Sequence, residues 1–438
     1  VRQNDSKILE KNLKDNFESI CHANIPYIGY SYSLYLFTER LYNICIEKNI
    51  RHLFFLSREG EFLKRLFDYY LELKNDTSII TFYFYTSRIS SFVASLRPLD
   101  EERFERLFRS YPDMSLEKFL VNCGFSEEKI NVLNQYINID FKQIIYNISD
   151  SDELAILINE PQFIEFYDEI RNEQRKNFDT YVKSFKVDLQ IEGFHIVDVG
   201  WKGTIQDNFI SFFGQNILVY GYYWGLDGEK LCDNSQYKQG IMFSNVNGYS
   251  NYFDIYFYDY AFLERLLFAK HGSVLKYRYE NNVCVPLTKF YENEKESGRI
   301  IAPVQEAIYK NFNRIFLMME KFDVLGEQMD WLFAEIHYNV VTRYTDREKK
   351  LQKYMLKRHI ENFGFWCFGD KVKIKFSLKT VILNIKKYDH KSRDFLFTLY
   401  SNIMFIIRDK TFLFRIFSLF KQALLKRYIG KQKGVKNV

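Results

Sequence analysis

Apolar residues in this chain recur with two different periods, and the switches between them divide it into elements. Short apolar runs of strand length occur at 52–57 (HLFFLS), 80–87 (ITFYFYTS), 194–200, 216–226 (NILVYGYYWGL) and 239–244 (QGIMFS). Runs of this length and composition, bounded by polar or glycine-bearing loops, predict buried strands. Between them the period lengthens to that of a helix. Leu34, Phe37, Leu41 and Ile44 share one face after a break at Pro26 and Gly29, and Leu63, Leu66, Tyr70 and Leu73 share another. Ile205, Phe209, Phe212 and Phe213 make a third. A strand, a helix of about 15 residues and a second strand predict a right-handed parallel crossover.

The pattern therefore predicts an α/β protein with a parallel Rossmann-like sheet built from 51–88 and 191–280. A helical segment, 1–50, precedes it. Residues 89–190 interrupt the sheet with helical stretches at 115–137 and 161–185, as an inserted cap or acceptor-binding unit would. From 254 the chain reads as a helix and then a loop at His271-Gly272-Ser273. A helical C-terminal region, 281–438, follows.

Composition narrows this picture. The 438 residues are 47% hydrophobic and 27% charged, values of a folded globular chain with room for two or three structural units. Aromatic content is 18% while prolines number six, which favours helices with aromatic packing. The six cysteines form no CxxC pair and no zinc-ligand spacing with histidine, so free thiols in a reducing cytoplasm are expected. The longest uncharged apolar run, Phe395–Ile407, is too short to span a bilayer. There is no initiator methionine and no signal peptide, which leaves room for natural sequence upstream of Val1.

The candidate chemistry sits at the ends of the predicted strands. In GFHIVDVGWKGTIQDNFISFF, residues 193–213, a strand ends in Asp198 and a glycine-bearing loop leads into a helix. Helix-start amides and the positive dipole end suit a phosphate, with Lys202 adding a cation and Thr204 a hydroxyl. The loop matches neither GxGxxG nor GxxxxGK[ST], so it predicts neither a dinucleotide site nor a P-loop. Two other strand ends carry Ser57-Arg58-Glu59-Gly60 and Ser87-Arg88. Parallel neighbours would bring all three loops to one sheet edge. Arg58, Arg88 and Lys202 gathered there predict more than one phosphate group, with Asp198 available for sugar hydroxyls or Mg²⁺.

The order of these parts resembles the type I phosphoribosyltransferases, which bind 5-phosphoribosyl pyrophosphate (PRPP). FLSREG (55–60) is similar to their pyrophosphate loop and IVDVGWKGT (196–204) to their 5-phosphate loop. The chain departs from that motif in having one acid, Asp198, where two are usual, and a shorter loop. The set FLSREG, YTSR, VDVGWKGTIQ and LLFAKHGSVLKY, spanning roughly residues 25–280, more closely resembles a bacterial group from surface-polysaccharide (capsule or O-antigen) gene clusters. In that group the module often accompanies a haloacid dehalogenase-like phosphatase.

The resemblance implies transfer of 5-phosphoribose from PRPP to a sugar hydroxyl of a growing or lipid-linked glycan. A separate or upstream phosphatase would then remove the 5-phosphate. That phosphatase chemistry is not expected here, because Gly200 stands where a second Asp would follow Asp198. By the same resemblance Mg²⁺, held at Asp198, with Arg58 and Arg88 would neutralise the leaving pyrophosphate. Ser57, Gly60 and Ser87 would line that subsite, and Gly200, Trp201, Lys202, Gly203 and Thr204 would hold the ribose 5-phosphate. Loss of pyrophosphate leaves oxocarbenium character at C1. Attack from the opposite face would give a β-ribofuranoside.

A sugar hydroxyl needs a base, for which Glu59, Asp198 and Glu264 are the candidates. Glu264 reads equally as a helix-surface carboxylate, His271 as an acceptor or phosphate contact or a structural histidine, and Trp201 as a sugar platform or a packing residue.

Charge adds one further expectation. Residues 371–438 hold 17 Lys/Arg against 3 Asp, a balance of +14 that leaves −9 for residues 1–370 in a chain of +5. Within this tail Leu413, Ile416, Phe417, Phe420 and Leu424 share one helical arc and Arg415 and Lys426 oppose it, although Arg427 falls on the apolar side. An aromatic, basic helix suits an anionic membrane surface. No nucleic-acid motif accompanies it, so a peripheral position on the inner face of the cytoplasmic membrane is expected, without nucleic acid. The rival readings are a nucleotide-sugar glycosyltransferase or phosphatase using the same loops, and a non-catalytic polysaccharide-assembly module.

Overall fold

A computed structural model describes residues 3–342, except 24, 228–236, 247–249, 251, 258–259, 282 and 291–293. Five parallel strands form its sheet: β1 (His52–Leu56), β2 (Ile80–Phe84), β3 (Phe194–Trp201), β4 (Val219–Leu226) and β5 (Lys238–Ser244). Their order across the sheet is β2-β1-β3-β4-β5. From β1 the chain first builds outward to β2, then crosses back to β3 and builds the other way. The direction reverses between β1 and β3, and open sheets of this kind place ligands beyond the strand ends at that crevice. All five strands fall on the runs expected from periodicity.

Alternation along each strand loads both faces. Leu53, Phe55, Val197 and Trp224 point into one core with Tyr35, Leu66, Phe312 and Phe333 from the helices 30–47, 60–74, 294–322 and 330–342. Phe54, Leu56, Phe194 and Ile196 point into the other, against Phe178 of the helix Pro161–Lys183 and Phe209 of the helix Thr204–Phe213. The inserted residues 89–190 are helical as expected and bury a core of their own around Phe104, Leu107, Phe119, Leu133, Phe163 and Tyr167.

One expectation fails. Residues following His271 do not stay in loop and helix: β6 (Ser273–Glu280) and β7 (Val283–Lys289) pair as an antiparallel hairpin. Val274, Tyr277 and Cys284 bury against the Phe178 side of the sheet. The period-2 signal is blurred by a register shift between Val274 and Lys276 and by Pro286 inside β7. Asn281, at φ 49°, begins the short turn, a backbone region that Asn tolerates better than most residues. Beyond it, helices Glu294–Phe322 and Asp330–Thr342 agree with the expected helical region.

No disulfide links the four cysteines among the described residues, Cys21, Cys45, Cys123 and Cys284. No helix among the described residues is long and apolar enough to cross a membrane. The basic tail, 371–438, lies outside the described residues.

Candidate functional site

The loops after β1, β2 and β3 meet at the carboxyl edge of the sheet, at the crevice where strand order reverses. Asp198 is at its centre. Its Oδ1 accepts the Val199 N–H at 2.8 Å, and the residue keeps partial solvent contact. Burial and then the nearby Glu59 charge push its carboxyl from 3.8 up to about 7; Glu264 adds to this, while the Val199 N–H and Arg88 act the other way. Four groups from four segments thus share one field: Asp198 from β3, Glu59 from the β1 loop, Arg88 from the β2 loop and Glu264 from the helix Tyr260–Leu266. A carboxyl balanced near neutrality in such a cluster can hold a proton or release one.

The surrounding residues divide into those that could meet a ligand and those that brace the loops. Ser57 braces: its hydroxyl donates to the Thr86 carbonyl (2.7 Å) and accepts the Thr86 N–H (2.9 Å), tying the end of β1 to that of β2. Ser87 caps the helix Arg88–Ala94 through a reciprocal pair with Ser90, and its Oγ donates to the Val274 carbonyl at 2.6 Å. Neither serine is placed as an open phosphate ligand. Gly60 opens the helix Gly60–Lys74 against β1, and a Cβ there would lie 2.9 Å from the Phe55 carbonyl carbon. Packing explains that glycine.

Arg58 is half-buried, with its guanidinium 4.6 Å from the centre of the Phe268 ring. His271 is fastened at both nitrogens: Nδ1 lies 2.8 Å from the Gly272 carbonyl and Nε2 2.6 Å from the Tyr83 hydroxyl. A carbonyl only accepts, so Nδ1 donates to Gly272. This arrangement favours the structural alternative for His271. Trp201 donates its Nε1–H to Glu264 and stacks on Phe243, centroids 5.8 Å apart and planes at 15°. Glu264 is therefore no plain surface carboxylate.

The loop 200–204 needs its glycines. Gly200 has φ +118°, and a Cβ would sit 2.1 Å from the Gly225 carbonyl oxygen on β4. Gly203 has φ +68° and precedes the helix Thr204–Phe213, with Lys202 exposed beside it. The first amides of that helix have no acceptor within it and face the carboxyl edge with the positive dipole end. Asn208, buried in the same helix, donates to Ser91 Oγ at 2.9 Å and ties it to the helix Arg88–Ala94 that follows β2.

Beneath the loop lies a polar floor that periodicity did not reveal. Lys238, at the first position of β5, has a side chain only 2% exposed and pairs with Asp207 at 2.5 Å. Gln206 Nε2 donates to the Val219 carbonyl (2.8 Å), and its Oε1 accepts the Tyr223 hydroxyl (2.7 Å). A lysine opening a strand and an acid in a first helical turn are ordinary in sequence, so nothing there marked them.

Among the described residues no group of three or more His, Cys, Asp and Glu is placed to hold a metal ion. Two clefts, of about 450 Å³ around Arg40 and Tyr256 and about 290 Å³ around Arg65 and Tyr309, are lined by none of the four clustered groups. Comparison with protein-family models gives no match, and comparison with curated proteins gives none either.

Proposed function

We propose that the protein is a PRPP-dependent phosphoribosyltransferase that moves 5-phosphoribose onto a sugar hydroxyl of a bacterial polysaccharide or lipid-linked glycan. The observation that carries this reading is the meeting of Asp198, Glu59, Arg88 and Glu264 at the reversal of strand order. The glycine-bearing loop and helix start at 203–204 lie beside them. A donor with two separated phosphate groups and a sugar between them matches an edge with a cation on one side, an amide cradle on the other and carboxylates in the middle.

In this reading Arg88, with Arg58 nearby on the β1 loop, faces the diphosphate, and the amides at 203–204 with Lys202 hold the 5-phosphate. Asp198 stands under the ribose. The C1–O bond to pyrophosphate breaks, positive charge grows on the ring, and the acceptor oxygen bonds to C1 from the opposite face. Asp198 takes the acceptor proton, a role suited to a carboxyl near neutrality. Glu264 is engaged by Trp201, so its part is to hold that indole and to set the field at Asp198.

Mg²⁺ fits this donor set in one form. Glu59, whose charge crowds Asp198, is the carboxylate that would meet a divalent cation, leaving the acceptor proton to Asp198, and no group of three or more ligands forms a cage among the described residues. Mg²⁺ commonly binds through one or two carboxylates plus substrate phosphates, and when bound it would neutralise departing pyrophosphate.

The test is a thermal-shift series followed by product analysis. PRPP with Mg²⁺ should stabilise the protein more than ribose 5-phosphate does, because both phosphate subsites fill. With a glycan acceptor, pyrophosphate release should accompany a phosphoribosylated product. A shift with a nucleotide sugar and none with PRPP would reject the reading.

A further inference from the structure

The strongest unexplained feature outside the carboxylate cluster is the buried charge beneath the 200–204 loop. Lys238 is 6% exposed and lies at the start of β5, one of the two edge strands of the described sheet. Its Nζ makes two contacts, to Asp207 Oδ1 at 2.5 Å and to the main-chain carbonyl of Lys202 at 3.2 Å. Its stem fills the space over the next residue: a Cβ on Gly203 would lie 2.9 Å from Lys238 Cε. Burying such a pair is costly, and apolar replacements of similar volume are often neutral or stabilising. Stability alone therefore gives no reason for the pair.

The bond to Lys202 does. In a planar trans peptide the carbonyl and the following N–H point in opposite directions. Drawing the Lys202 carbonyl inward to a buried ammonium turns the Gly203 N–H outward, toward the hollow of the loop. Asp207, one turn into the helix, offsets the lysine charge and keeps Nζ under the loop. We infer that Lys238 is a positioning residue for the ribose 5-phosphate subsite, acting through the Lys202–Gly203 peptide without touching the ligand.

This inference rests on the donor reading above, and the experiment separates the two. Binding of ribose 5-phosphate and, separately, of pyrophosphate with Mg²⁺ is measured by calorimetry on the unaltered chain and on Lys238→Met/Asp207→Leu, which replaces both members of the pair and leaves Arg106, also in the field of Asp207, to its nearer partner Glu102. The double variant should melt no lower than the unaltered chain. It should bind ribose 5-phosphate about tenfold more weakly, the consequence of one misdirected charge-assisted hydrogen bond. Pyrophosphate, held at the β1 and β2 loops, should bind unchanged. In steady-state assays the loss should appear in KM for PRPP rather than in kcat. An unaltered chain that binds neither ligand rejects the donor reading. A folded double variant that keeps its ribose 5-phosphate affinity, or loses both ligands equally, overturns the role of Lys238. So does a double variant that melts well below the unaltered chain, since the pair would then be structural.

Discussion

Replacing Asp198 by Asn separates catalysis from stability, because the two should move in opposite directions. Asn keeps the shape and can still accept the Val199 N–H, but it carries no charge. In the fold the Asp198 carboxyl is held at about 7 rather than 3.8. At about 1.36 kcal/mol per decade, ionising it in the folded chain costs about 4 kcal/mol more than in the unfolded one. Partial solvent contact screens that charge, so about 1–2 kcal/mol is the expected measurable cost. The raised acid is protonated in both states below about pH 4, and the penalty enters as pH climbs through the ordinary carboxylate range. It is complete above about pH 7. Asp198→Asn should therefore match the unaltered chain in stability near pH 4 and exceed it at pH 8, by about 1–2 °C in melting temperature for a chain of 438 residues. At pH 8, where Asp198 of the unaltered chain is ionised, the variant's turnover of PRPP should be lower by about a hundredfold or more, through kcat. Melting curves from pH 4 to 8, paired with initial rates, test both halves. A stability difference that does not change with pH, or near-normal turnover in a folded variant, would refute the placement of the charge and of the reaction centre.

Glu264→Gln removes a charge that raises the Asp198 carboxyl, so the acid limb of the pH–rate profile should move to lower pH, whereas Arg88→Gln should move it higher; limbs that shift together would contradict the shared field. Gly200→Ala should destabilise the chain by about 3 kcal/mol or more in denaturant melts, since its Cβ meets the Gly225 carbonyl at 2.1 Å and its φ is +118°. Removing residues 411–438 should reduce co-sedimentation with anionic liposomes while transfer to a soluble acceptor analogue persists. Salt should weaken liposome binding by the full chain. A truncated chain that instead melts lower and loses activity everywhere would make the tail part of the domain body.

The local arrangement was largely written in the sequence. Short apolar runs located the five strands of the sheet and period-3.6 spacing several of the helices, because a buried face must repeat with the backbone's own geometry. The acid and glycines of 198–203 were legible for a similar reason: Gly200 and Gly203 take positive φ values that few other residues tolerate. What periodicity could not decide was which polar groups face one another. Ser57 and Ser87 look like ligands in sequence, yet they brace loops, since a hydroxyl serves either purpose and only its neighbours choose. His271 was drawn to Tyr83, 188 residues away, by a hairpin whose alternation is broken by a register shift and a proline. Lys238 and Asp207 carry no local mark, because their pairing exists only once β5 lies beside β4 and the helix 204–213 folds over them. Long-range proximity, unlike backbone period, leaves no repeat in the chain, and tertiary structure alone turns a surface-type lysine into a buried one.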